Sequence, residues 1–182
     1  MNDPEALVQT ILREGAQNAR VVNVCDLVFD SMFRSLCVAN SCGRYGKCYT
    51  CPPDVGDIDT LMDEARGYDR GVLYQTIWPL EDSFDIEGMQ VAGSQHSALS
   101  QRIHGYLDKN MLHLSGGGCR LCEVCAKQEN KPCRFPGQAI ASMSAYGLNV
   151  YEAAKLAGLK YVNGTNTVTY FGIVFMRDHP NA

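Results

Sequence analysis

The sequence has no surplus of positive charge, no long apolar run and no familiar catalytic signature. Lys and Arg number 16 against 20 Asp and Glu, a formal net charge of -4. That leaves no spare cations to neutralise phosphates and excludes a non-specific nucleic-acid binder. The longest aromatic and aliphatic stretches, such as Tyr170–Met176, fall far short of the ~18 residues of a membrane helix. The opening MNDPEALVQTILREG has neither a basic start nor a long apolar stretch, so no signal peptide is expected and the cytoplasm is the default compartment. Ser-His-Asp order, a nucleophile elbow, a dinucleotide-binding Gly fingerprint and an HExxH zinc helix are all missing. There is no internal repeat and no low-complexity tract. Charged residues at 20% and hydrophobic residues at 46% exclude a disordered chain. A length of 182 residues fits one domain spanning 1–182.

What the chain does have is nine cysteines. In a reducing compartment persistent disulfides are rare, so these thiols read as ligands rather than bridges. The Asn163-Gly164-Thr165 sequon has no consequence without export.

Local patterns predict alternating helices and strands. Asp3 caps and Pro4 opens a first helix through Val8, Ile11 and Leu12, which Gly15 ends. Val21–Cys25 reads as a short strand that includes Cys25 as a core residue, and Asp26–Cys37 fits strand or helix. Asp57 or Asp59 caps a short helix through Leu61, Met62 and Ala65, closed by Gly67. Arg70–Trp78 reads as a strand. A long helix over about 85–107 carries the stripe Ile86, Met89, Ala92, His96, Leu99, Ile103 and Tyr106/Leu107. Helical patches are expected over 137–145 and 150–157, the second capped by Asn149 and ended by Gly158. Thr167–Met176 is apolar on both faces, as a central strand would be. The expected class is α/β, with α+β as the variant: a small layered sheet with helices and two cysteine-rich loops, 37–56 and 116–136.

The second loop carries Cys119, Cys122, Cys125 and Cys133, spaced C-x2-C-x2-C-x7-C. Three cysteines at successive x2 intervals wrap one compact object. A cubane offers several iron corners to such a loop, whereas zinc sites more often take two thiolates from each of two turns. The run resembles the bacterial ferredoxin pattern C-x2-C-x2-C-x3-C-P, with a longer last gap and Pro136 displaced. Cys133 is the member of the set that departs from that pattern. Gly116, Gly117 and Gly118 allow backbone N–H groups to approach sulfur, and Lys127, Lys131 and Arg134 are placed to offset negative charge. The triplet lacks the Lys-Ser/Thr of a phosphate loop.

The first loop carries Cys37, Cys42, Cys48 and Cys51, followed by Pro52 and Pro53. Gly43 and Gly46 supply bends, and Pro52 holds Cys51 extended. The spacing fits iron–sulfur or zinc. All four cysteines are candidate ligands; alternatively Cys48 stands aside and Cys37, Cys42 and Cys51 form a three-thiolate set, leaving one iron open to a substrate. A redox dithiol at Cys48 and Cys51 ranks below metal. Cys25 lies outside both groups.

Cys42-Gly43-Arg44-Tyr45-Gly46-Lys47, Cys51-Pro52-Pro53-Asp54-Val55-Gly56, the segment from Leu80 to Gly88, Cys133-Arg134-Phe135-Pro136, the segment from Ser142 to Gly147 and the segment from Asn166 to Gly172 together resemble an uncharacterised prokaryotic family of predicted metal-binding proteins. The resemblance spans about 21–175. It implies metal binding through the cysteines in an anaerobe-type context, fixes Cys37, Cys42 and Cys51 more firmly than Cys48, and supplies no reaction.

Remaining candidates have plainer readings. His96 sits on the apolar stripe and reads as a core histidine before a ligand; His104, His113 and His179 carry no motif. Glu81, Asp82, Asp85 and Glu87 fit a solvated helix start better than a carboxylate site. Tyr146, Tyr161 and Tyr170 with Asn163 and Asn166 fit core packing before a pocket. The expected function is metal binding, foremost one or two [4Fe–4S] clusters in an electron-transfer or redox accessory role, with a redox partner protein or a small molecule as counterpart. The alternatives are an enzyme with an open-site cluster and a structural zinc module.

Overall fold

The computed structural model describes residues 3–178, so His179 lies outside the described residues. Helix α1 spans Pro4–Arg13, with the Asp3 carboxylate accepting from the Glu5 N–H and Gly15 turning the chain at φ 113°. Strand β1 follows at Asn18–Asn23. Helix α2 is Met32–Val38 and α3 is Ile58–Arg66, the latter capped by Asp57 through the N–H groups of Asp59 and Thr60. Strand β2 is Arg70–Pro79, α4 is Ile86–His104 and β3 is Leu112–Ser115. The two-residue β4 is Ala141–Ser142, α5 is Val150–Leu156 capped by Asn149, and β5 is Thr167–Met176.

The class is mixed α/β. The strands form one sheet in the order β1-β2-β5-β3-β4. β5 lies antiparallel between β2 and β3, as its two apolar faces require, and only the β3–β4 pair is parallel among the described strands. Side chains alternate across it with period two. Val72, Tyr74, Val174 and Met176 face one way onto α1 and α4, with Leu7, Ile11, Leu99 and Ile103. Leu73, Ile173 and Phe175 face the other way onto α3 and α5, with Leu61, Ala65, Ala153 and Ala154. Helices thus cover both faces. No helix among the described residues is long and apolar enough to cross a membrane.

Tyr74 lies opposite Gly172, where an added Cβ would sit 2.2 Å from the phenol. The missing side chain lets the buried hydroxyl reach Ser100 Oγ and His113 Nε2, each at 2.8 Å. His96 joins this layer as the core histidine its position suggests. Its Nε2–H donates to the Phe171 carbonyl at 3.1 Å, and Nδ1 accepts from Thr76 Oγ1 at 2.8 Å. Burial of His96 and His113 pushes their pKa values down, to about 4 and about 3.

Several local expectations need correction. Cys25 is exposed in a 3-10 turn, Val24–Asp26, because β1 starts and stops earlier than its apolar run implies. Cys37 is helical, since α2 extends into the first loop. No helix forms over 137–145: that stretch supplies β4 and a 3-10 turn at Ser144–Tyr146, held by pairing with β3. Ile86 and Tyr106 are exposed, so the buried stripe of α4 is Ala92, Gly93, His96, Leu99, Ser100 and Ile103.

Candidate metal centre

The parallel β3–β4 pair positions the site. Ser115 at the end of β3 runs into Gly116, Gly117, Gly118 and Cys119, while Ser142 at the end of β4 is followed by Ser144. The first cysteine loop folds down over these carboxyl ends. Thr50 Oγ1 accepts the Cys119 N–H at 3.1 Å, and the Arg44 guanidinium donates to the Cys119 carbonyl at 3.0 Å. Tyr49 donates to the Lys131 carbonyl at 2.8 Å, and Lys127 pairs with Asp54. The contact is too close for side chains at Gly118, where a Cβ would lie 2.8 Å from Cys51 Sγ. The triplet therefore brings backbone against sulfur.

The nine cysteines are all free. Eight of them line two cavities. Cys37, Cys42 and Cys51 border a cavity of about 300 Å³, together with Tyr45, Gly117, Gly118, Ser142 and Ser144. Cys119, Cys122, Cys125 and Cys133 border a narrow cleft of about 20 Å³ beside Arg134, and the fifth thiol there is Cys48. Among the described residues, no three His, Cys, Asp or Glu side chains are arranged to hold a single metal ion. Neither cavity is lined by a carboxylate or an imidazole. The donor set is sulfur, which suits thiophilic metals and clusters rather than hard cations.

Charge in the site is shared. Cys48 contacts the thiols of both Cys119 and Cys51, whose hydrogen bonds push its ionisation well down. The same contacts, followed by burial, push Cys51 and Cys119 up. Thr50 Oγ1 also lies 3.4 Å from Cys48 Sγ, so the hydroxyl bridges the Cys119 N–H and the Cys48 thiol. Burial raises Cys37, with the charge of Cys42 adding to it and Arg34 opposing. Of the three cations expected near the second loop, Arg134 bonds the Cys122 sulfur, Lys127 faces Cys125 from its pair with Asp54, and Lys131 instead pairs with Glu129.

The remaining candidates lie elsewhere. Asp85 caps α4 through the Gly88 N–H and Asp82 accepts from the Phe84 N–H, so the acidic run is a helix start. Tyr146 bonds Glu64, Tyr161 stacks on Phe171, and Tyr170 stacks on His96 and donates to the Met89 carbonyl. Asn163 bonds Thr169, and Asn166 bonds the Glu81 carbonyl. His104, at the end of α4, stacks on His113 and lies with Nε2 3.1 Å from the Gly137 carbonyl. Sequence reasoning missed Arg44, Thr50, Tyr49 and Asp54, the residues that join the loops. Their signal was only that they lie between or just after the cysteines of the first loop, Arg44 and Asp54 within the motifs of the family resemblance.

This arrangement defines a thiol-rich site built on a small α/β sheet. The family model described as predicted metal-binding protein (DUF2284) matches residues 20–176, and the chain belongs to that family. No curated protein and no solved structure matches it.

Proposed function

We propose that the protein binds iron–sulfur clusters of the [4Fe–4S] type and serves in electron transfer or as a redox accessory to a partner enzyme. The observation that carries this reading is the gathering of eight free thiols, from two loops stitched together, along the walls of two adjacent cavities. Thiols set along a wall suit a polynuclear cluster, which takes each ligand on a separate iron corner, better than one zinc ion with its single tetrahedral centre. Cys119, Cys122 and Cys125 would hold one cluster, and Cys37, Cys42 and Cys51 the other. The clusters would supply one-electron redox chemistry. Backbone N–H groups of the glycine run and the guanidinium of Arg134 would stabilise negative charge on the ligand sulfurs.

A specific observation favours a second role for the first cavity. It is lined by three thiols, holds about 300 Å³, and is also bordered by Ser142 and Ser144. A three-thiol cluster would keep one iron corner for a small ligand, which is the arrangement of an enzyme rather than a carrier. Protein purified without oxygen should carry iron and acid-labile sulfide and lose its broad absorption near ~400 nm on reduction. Adding cyanide should change the electron spin resonance of the reduced open-corner cluster and leave a fully ligated cluster unchanged. Colourless protein holding zinc alone contradicts the reading, and chelator-induced unfolding would then mark the metal as structural.

A further inference from the structure

The C-x2-C knuckle Cys48-Tyr49-Thr50-Cys51 belongs to the first loop, yet its two thiols line different cavities. Cys51 borders the cavity of Cys37 and Cys42, whereas Cys48 borders the cleft of Cys119, Cys122 and Cys125 and, at the joint, a further hollow shared with Cys42 and Cys125. The separation is built into the backbone. Thr50, between the two cysteines, accepts the Cys119 N–H, which pins the knuckle onto the second loop with the Cys48 sulfur beside Cys119. Cys48 is 3% exposed and so is committed to the interior of the joint. Its sulfur also contacts a member of each set, Cys51 on one side and Cys119 on the other.

We infer that Cys48 is a ligand of the second metal centre, so that one knuckle straddles both centres and makes them sulfur-linked neighbours. This rests on the cluster reading above and adds the assignment of a ligand across the two loops. The first centre then has only Cys37, Cys42 and Cys51 as thiol ligands. Cys133, the fifth thiol of the cleft, arrives from a separate exposed turn after Asn130 and is not needed to complete four.

Metal content in paired variants of the full chain tests the assignment without any assay of activity. The chain is loaded with ferrous iron and sulfide under anaerobic conditions, and iron per chain is measured for Cys48→Ala, Cys37→Ala, Cys119→Ala and the doubles Cys48→Ala/Cys119→Ala and Cys48→Ala/Cys37→Ala. Cys48→Ala should lose about half the iron. Adding Cys119→Ala should remove no more, and adding Cys37→Ala should remove nearly all that remains. Full iron in Cys48→Ala, or a Cys48→Ala/Cys37→Ala double that keeps as much as Cys37→Ala alone, overturns the assignment. Far-ultraviolet circular dichroism screens each variant for folding, and Cys48→Ser replaces Cys48→Ala should the latter fail to fold. A wild-type chain that loads no iron sinks the cluster reading instead. In that case the same variants, loaded with zinc, still decide where Cys48 belongs.

Discussion

Single residues decide how closely the two loops approach. Gly118 meets Cys51 Sγ with no room for a methyl group. Gly118→Ala should therefore push the loops apart, costing about 1–3 kcal/mol of stability and lowering metal retention. A denaturant titration and iron analysis on the same preparation check both effects. Unchanged iron content would show that the approach is incidental. Thr50 acts by hydrogen bonding, since its oxygen accepts from the Cys119 N–H and lies 3.4 Å from Cys48 Sγ. Thr50→Val keeps the shape and removes both contacts. It should leave the Cys119 N–H unpartnered at a cost of about 1–3 kcal/mol, and should speed metal loss to a chelator severalfold. That the cysteines gather was legible, because four thiols fall within fifteen residues in each loop. Their partition was not. Spacing placed Cys48 with its own loop, while its side chain follows a contact made 71 residues away with Cys119, and no local pattern encodes that.

At the scale of elements, capping chemistry and hydrophobic period set most of the boundaries. Asp3, Asp57, Asp85 and Asn149 each cap the helix that follows, through backbone N–H groups. β3 and β4 escaped the pattern because they are four and two residues long and owe their form to pairing with each other and with β5. Behind the site, α4, β2 and β3 share a buried polar layer: His113, Tyr74, Ser100, Ser115, His96, Thr76 and Trp78 are joined by successive hydrogen bonds. Both histidines are held neutral there by burial, at about 4 for His96 and about 3 for His113 against an ordinary 6.5. The unfolded chain binds protons below pH 6.5 that the folded chain refuses. Their contribution is therefore present above that pH and is lost as pH falls through about 4 and 3. Between pH 7 and pH 5 the two histidines together should remove on the order of 4 kcal/mol. Urea midpoints measured across this range should fall, with a shallower decline in His113→Gln. A flat profile would show that the layer admits water or protons. Gly172→Ala would displace Tyr74 from the same layer and should lower the melting temperature without touching a cysteine.

Over the whole molecule, the sheet acts as a platform and the cysteine loops as a cap on one of its ends. Helices cover both faces, so the open ground left for chemistry is at the carboxyl ends of β3 and β4, where the glycine run starts. Four contacts tie the cap down: Thr50 to Cys119, Arg44 to Cys119, Tyr49 to Lys131, and Lys127 to Asp54. Each joins the first loop to the second, so one joint shapes the walls of both cavities. The α/β class was readable from alternating patterns and one apolar central strand. The meeting of the loops was not, since it depends on sheet order, and nothing local places residue 50 beside residue 119. Iron and sulfide quantification on oxygen-free full-length protein, with zinc measured in the same sample, tests the central claim most directly. Two clusters predict about eight irons and an equal amount of sulfide per chain. Protein that is colourless, free of sulfide and loaded with stoichiometric zinc would contradict the account.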